Sequence, residues 1–261
     1  MSIREIDFKP HTLAMIEAAK MVIADTKPVR MNLRQIYYQF VSNEKISAEL
    51  RVPNSQRSYK RIQSIIADAR LAGLIDWSDI EDRTREAVVQ SQWDSLGDLV
   101  NSAVRAYRLP RWSDQPRICE LWCEKEALAG IFEPIAAEYH VTFQVNKGYS
   151  SLSTLYEASE RIKGMQDDRD VTILYVGDFD PSGEDMVRDV RERLEMFGVE
   201  LLDVQKITLT MEQVRRYNPP PNPAKMTDSR ARAFVEEHGE SSWEVDALPP
   251  RTLVRLVRAA L

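Results

Sequence analysis

VTILYVGDFDPSGEDM, residues 171–186, decides the fold of this chain. A short apolar, β-rich run reaches Val176, Asp178 and Asp180 follow two apart, and Pro181, Ser182 and Gly183 turn the chain into a helix. In an extended segment, side chains at i and i+2 project to the same side, so both carboxylates can reach one place just beyond the strand's carboxyl end. Open α/β sheets put their active sites there. Working outward, ICELWC (118–123), VTFQV (141–145) and DVQKITL (203–209) read as further strands, with helices expected over 127–139, 152–163 and 184–197. Strands alternating with helices predict a parallel sheet flanked by helices. A proline-rich loop, YNPPPNP (217–223), and two helices over 228–238 and 250–261 complete the second half.

A second strand end bears on the chemistry. ICELWC runs into Glu124, which in a parallel sheet would emerge on the same edge as Asp178 and Asp180. Carboxylates held together repel unless a cation lies between them, and hard oxygen donors without Cys or His select Mg²⁺, or Mn²⁺, over zinc. Such a trio can bind metal and manage a proton in phosphodiester chemistry. Asp-x-Asp before a turn fits Asx-turn and helix-capping duty as well. Lys125 fits either a phosphate contact or a solvated side chain, and Glu126 reads as surface. Cys119 and Cys123 read as buried thiols; His11, His140 and His238 are scattered, without zinc-ligand spacing. No Walker loop, GxGxxG or GxSxG occurs.

The first half reads as helices. Leu13, Ile16, Ala19 and Ala24 outline one; Leu33, Ile36, Tyr37, Phe40 and Val41 have the i, i+3, i+4 spacing of another. A third spans Ser55–Ala72, with Tyr59, Ile62, Ile65, Ile66 and Ala69 inward, and Gly73 stops it. GLIDWSDIEDRTR (73–85) then suggests a short strand and an extended wing. Helix, loop, basic helix and wing is the order of a winged helix-turn-helix; a plain helical bundle with a charged face is the alternative. Residues 86–116 look connecting, with a helix over Ser95–Tyr107.

With 43% hydrophobic and 29% charged residues, the chain is neither disordered nor a disulfide scaffold. Its net charge of −6 argues against a nucleic-acid partner only when taken whole. Residues 1–116 carry 17 basic and 15 acidic side chains, and residues 117–261 carry 18 and 26. Arg51, Arg57, Lys60, Arg61 and Arg70 face a single acid, Asp68, within 51–70. No run approaches a membrane span, and MSIREIDFKP lacks the marks of a signal or transit peptide, so a cytoplasmic, nucleoid-associated protein is expected.

These residues carry a family resemblance. Glu124 and GDFDPSG, each after an apolar strand, resemble the Toprim domain of topoisomerases, primases and related nucleases. WCEKEAL, NKGYSS and GDFDPSG in that order, with WEVDALPP near the end, resemble the version in the topoisomerase VI A subunit and the meiotic double-strand-break transesterases. The match covers about 117–261. The resemblance implies a mainly helical winged-helix domain (1–85), a helical linker (86–116) and an α/β Toprim domain with a C-terminal helical extension (117–261). It implies Mg²⁺-dependent cleavage of double-stranded DNA by Tyr38, the second tyrosine of Leu33-Arg34-Gln35-Ile36-Tyr37-Tyr38, leaving a 5′-phosphotyrosyl bond. Arg34 would assist at the phosphate, Glu124 would serve both catalysis and metal, and Asp178 and Asp180 would complete the metal site. Gln35 departs from the family's usual acid. Arg57, Lys60, Arg61 and Lys147 are the expected DNA contacts. By the same resemblance the protein is a homodimer that pairs the tyrosine of one subunit with the metal of the other, and strand passage would need a separate ATPase subunit. Two alternatives stay open: a Toprim endonuclease that uses water, with Tyr38 as core, and a non-catalytic DNA-binding component.

Overall fold

The computed structural model describes residues 5–81, 91–107, 109–146, 148, 150–223 and 231–261. Three helices build the first part: α1 (Pro10–Thr26), α2 (Leu33–Ser42) and α3 (Gln56–Leu71). Proline at the first helical position of α1 gives up an amide that no helix could use. The buried stripe of α1 is Met15, Ile16, Ala19, Val22 and Ile23. Ile16 and Ala19 were expected there, but Leu13 is 42% exposed and Ala24 faces solvent. Met15 and Val22 keep the core face in phase where Leu13 and Ala24 rotate out of it.

α2 starts at a reciprocal cap. The Gln35 amide donates to Asn32 Oδ1 (2.9 Å) while Gln35 Oε1 accepts from the Asn32 amide (3.0 Å). The departure from an acid at position 35 thus keeps the capping geometry. α3 is capped by Ser55, whose Oγ accepts from the Ser58 amide, and it ends before Gly73 as expected. Ile36, Phe40, Ile62, Ile66 and Ala69 join the α1 stripe in one core. Two short segments, β1 (Met31–Asn32) and β2 (Ile80–Glu81), pair in parallel beside it. The wing expected over 73–85 reaches beyond residue 81, outside the described residues. α4 (Leu96–Ala106) follows with Ser95 as its cap, and none of its residues is buried.

The second part is an α/β layer structure. Strands β3 (Arg117–Cys123), β4 (Thr142–Val145), β5 (Asp170–Val176) and β6 (Leu202–Thr208) form one all-parallel sheet in the order β4-β3-β5-β6. The six-residue apolar runs at the ends of β3 and β5 are buried, as expected for strands covered on both faces. One face carries Leu121, Cys123, Leu174 and Val176 against α5 (Ala129–Tyr139), α8 (Met211–Tyr217) and α10 (Pro250–Ala260). The other carries Trp122, Ile173, Tyr175 and Val204 against α6 (Leu152–Gln166) and α7 (Pro181–Met196). Both cysteines are buried free thiols. A buried acid inside β3, Glu120, is held by Arg161 of α6 and the Trp122 indole (2.8 Å). α9 (Ala231–His238) and a short antiparallel pair, β7 (Asn222–Pro223) with β8 (Ser241–Ser242), follow, and Phe179 after β5 meets Phe234 of α9 and bridges Trp243. The first three residues of the helix expected over 228–238 lie outside the described residues. Among the described residues, no helix is long and apolar enough to cross a membrane.

Candidate functional site

Cys123 of β3 and Val176 of β5 are register partners, so the chain leaves both strands side by side at the carboxyl edge. The Glu124 amide still donates to the Val176 carbonyl (2.9 Å), and Glu124 Oε2 accepts from the Asp178 amide (3.1 Å). Gly177 permits that approach, because a Cβ there would lie 2.9 Å from Glu124 Oε2 and 2.8 Å from the Tyr175 ring. Gly183 does the same one turn later, where a Cβ would lie 2.2 Å from the Asp178 carbonyl oxygen. The Gly-Asp-Phe-Asp-Pro-Ser-Gly segment is thus shaped by close backbone approach at both ends.

Asp178 and Asp180 take different tasks. Asp180 is the N-cap of α7: its Oδ1 accepts from the Gly183 amide (2.7 Å) and the Ser182 hydroxyl (2.9 Å), with Pro181 at the first helical position. The helix expected from residue 184 therefore starts at Pro181. Asp178 is buried, and its Oδ1 accepts from the Val245 amide (2.8 Å) and pairs with Lys125 Nζ (2.9 Å). Lys125 Nζ also meets Asp246 Oδ2 (2.7 Å) and Glu244 Oε2 (3.2 Å). Lys125 is thus neither a solvated lysine nor a free phosphate contact; it is the hub of three carboxylates. The other Asp246 oxygen accepts from Asn32 Nδ2 (3.1 Å), and Asn32 also donates to the Ala127 carbonyl (3.0 Å).

The network continues into α2. Arg34 pairs with Glu244 and lies 5.8 Å from the Tyr59 ring centroid. The Tyr38 hydroxyl accepts from Asn222 Nδ2 (3.1 Å), and its phenol senses the charges of Glu244, Arg34 and Lys125. Tyr37 and Tyr38 are both buried, but their hydroxyls go different ways. Tyr37 donates to Asn54 Oδ1 (2.8 Å) and accepts from the Ser55 amide (2.8 Å), locking the cap of α3. One continuous polar path therefore runs from Arg34 through Glu244 and Lys125 to Asp178 within a single chain, and the Tyr38 phenol lies within the electrostatic reach of its first three members.

Charge states follow from burial and neighbours. Burial pushes Asp178 up, Lys125 opposes that shift, and Glu124, Glu244 and Asp246 reinforce it. Glu124 is raised by burial and by Asp180, against the Asp178 amide, Lys125 and Lys206. Burial opposes the charge on Asp246, but Lys125 and Asn32 hold it below the usual carboxylate range. Lys125 keeps its charge despite burial because Asp246, Asp178 and Glu244 surround it. Burial and Glu244 push the Tyr38 phenol up to about 12, against the Asn222 hydrogen bond and the charges of Arg34 and Lys125.

Among the described residues, no group of three or more Asp, Glu, His or Cys side chains is placed to hold a metal ion. The donor set fits a hard cation in part. Asp180 adds to the cost of ionising Glu124, whereas Asp178 is engaged by Lys125. Arg57, Lys60 and Arg61 share the exposed face of α3, at i, i+3 and i+4. Lys147 lies outside the described residues. Glu244, Asp246, Asn222 and Asn32 join the site without having been singled out for it. Glu244 and Asp246 carry the same i, i+2 spacing as Asp178 and Asp180, and that spacing is the signal that could have found them. No protein-family model matches this chain, and a search of the curated proteins returns no match.

Proposed function

We propose that this protein is a Toprim-type, metal-dependent DNA-cleaving enzyme, a winged-helix unit (1–85) and linker (86–116) joined to a Toprim unit (117–261). The observation that carries the reading is the single-chain path from Arg34, one turn before Tyr38 on α2, to Asp178 at the carboxyl edge of a parallel sheet. Tyr38 would attack the DNA phosphorus, form a 5′-phosphotyrosyl bond and release a 3′-hydroxyl, in the manner of a topoisomerase VI A subunit. Arg34 would leave Glu244 for the phosphate and stabilise the negative charge that develops there, while the phenolic proton of Tyr38 would pass through solvent to the departing 3′-oxygen. Glu124 and Asp180 would hold Mg²⁺ or Mn²⁺, with Asp178 joining once Lys125 releases it; the ion would stabilise charge on the displaced oxygen. Arg57, Lys60, Arg61 and Lys147 would grip the DNA backbone, which positions without reading sequence. A homodimer, a separate ATPase partner and a nucleoid location belong to the same reading.

A second reading has its own support: Tyr38 is 1% exposed and weakly acidic in this conformation, which suits a core residue beside a water-using endonuclease. The test is purified protein with supercoiled plasmid and Mg²⁺ or Mn²⁺, denatured with and without protease. Ends that enter a gel only after protease treatment, and vanish in Tyr38→Phe, establish the covalent route. Clean ends that survive Tyr38→Phe establish hydrolysis. Absence of breaks with either metal sinks autonomous cleavage by this chain.

A further inference from the structure

α4 presents an apolar stripe to solvent. Leu96 is 76% exposed, Leu99 40%, Val100 53%, Val104 69% and Tyr107 70%, with exposed Ala103 between them. These positions run i, i+3, i+4, i+7, i+8 and i+11, the spacing by which an amphipathic helix faces a core. Exposed apolar patches of this extent mark interaction surfaces.

We propose that this face is the contact between two copies of the chain, packed as an antiparallel α4–α4 pair about a two-fold axis. The stripe reads the same in both directions about the point between Asn101 and Ser102. In an antiparallel pair, Leu96 stands level with the second copy's Tyr107, Leu99 with its Val104, and Val100 with its Ala103. Every apolar position meets an apolar position, with larger side chains opposite smaller ones at the centre, as an isologous contact requires. At about 100° per residue, the two charged residues of the helix, Asp98 and Arg105, fall on the side away from the stripe, so pairing desolvates neither. The exposed stripe from Leu96 to Tyr107 amounts to roughly 600 Å² per copy, about 1,200 Å² for the pair, the lower end of the range of specific interfaces. A lipid surface suits the helix less, since interfacial helices carry Lys and Arg along the polar face, and here there is one arginine and one aspartate.

The proposal deepens the homodimer of the preceding section and rests on that reading only for the expectation of two copies. Sedimentation of the full chain over a range of concentrations tests it, comparing wild type with Leu99→Asp/Val104→Asp. Both positions are exposed, so melting temperature should stay unchanged while the dimer weakens at least about a hundredfold. The register has its own test. Oxidised Val100→Cys/Ala103→Cys should give a covalent dimer, whereas Leu96→Cys should not, because two such residues lie about 16 Å apart in the antiparallel pair. The native Cys119 and Cys123 are buried and do not compete. A dimer indifferent to Leu99→Asp/Val104→Asp overturns the interface and leaves the homodimer standing; a monomer at every concentration overturns both. Cross-linking of Leu96→Cys overturns the antiparallel register. A monomer that pellets with phosphatidylserine vesicles, and loses this in the aspartate variant, assigns the face to lipid and overturns the proposal.

Discussion

Lys125→Met is the most informative single change. It keeps the length of the side chain and removes the charge shared by Asp178, Asp246 and Glu244, whose side chains are 10%, 1% and 21% exposed. Removing one partner of a buried ion pair costs about 3–5 kcal/mol, because the remaining charge has neither water nor counter-ion. Three carboxylates share this lysine, so the upper part of that range applies at neutral pH. In a domain of this size the loss corresponds to a fall in Tm of roughly 10–20 °C. The variant should partly heal in acid. Without Lys125, the main offset to the burial that raises Asp178 and Asp246 is gone, so their folded-state pKa values lie above the unfolded ones, protonation favours the folded form at low pH, and that benefit is lost as pH rises through the raised pKa. Thermal or urea unfolding at pH 5 and pH 8 measures this: the deficit against wild type should be small at pH 5 and full at pH 8. Asp246→Asn should restore part of the loss in the Lys125→Met background, although it is destabilising alone. A deficit below about 1 kcal/mol, or one that does not change with pH, would show that Lys125 is not the counter-ion of this cluster.

Further predictions follow from single contacts. Gly183→Ala places a methyl 2.2 Å from the Asp178 carbonyl oxygen, so it should destabilise by about 2–3 kcal/mol in urea unfolding, whereas Gly164→Ala, with open space around it, should not. Asn32→Ala removes the α2 cap and the donors to Ala127 and Asp246, a loss of about 2 kcal/mol by chemical denaturation. Arg161→Ala strands the fully buried Glu120, and a loss of about 3–5 kcal/mol is expected in the same assay. Replacing Arg57, Lys60 and Arg61 by alanine should lower the slope of log K against log salt for duplex binding by roughly 2–3 if all three meet phosphates; an unchanged slope in a fluorescence-anisotropy titration would remove α3 from the DNA surface.

The strand edge was legible because its signals are local. An apolar run and two carboxylates at i and i+2 state their geometry within a few residues, and β5 and Asp178 lie where those rules put them, while α7 starts three residues early because Asp180 caps it at Pro181. Glu124 was placed on the same edge by the alternation of strands and helices, which dictates a parallel sheet. Lys125 was not legible, because two of the three carboxylates that bury it arrive about 120 residues later. Glu120 posed the same problem inside β3: an acid in a buried strand makes sense only beside Arg161, 41 residues on. The inner face of α1 was read partly out of phase, since a helix with alanine and leucine on several sides has no single stripe until α2 and α3 choose one. Tyr37 and Tyr38 could be told apart only by their hydroxyl partners, Asn54 for one and Asn222 for the other.

The charge of −6 takes on a more specific meaning in this setting. The acid excess of the second half is not simply a field that repels nucleic acid. Asp246 and Glu244 are the groups that hold Asn32 and Arg34, the first turn of the helix that carries Tyr38, against the sheet edge. The same two carboxylates hold Lys125, and Lys125 holds Asp178. An anion arriving at Arg34 and a cation arriving at Asp178 would therefore compete for opposite ends of one network: the first frees Glu244, and the second displaces Lys125. Each release leaves unbalanced charge of the sign that the other ligand neutralises, so under the proposed function DNA and divalent metal should bind with positive coupling, and by linkage each must strengthen the other equally. Mn²⁺ titrated calorimetrically with and without a duplex measures that coupling. Arg34→Gln, in which Glu244 is already free of its ion pair, should abolish most of it by raising Mn²⁺ affinity in the absence of DNA toward the duplex-bound value; equal Mn²⁺ affinities with and without duplex in the wild type would refute the shared network.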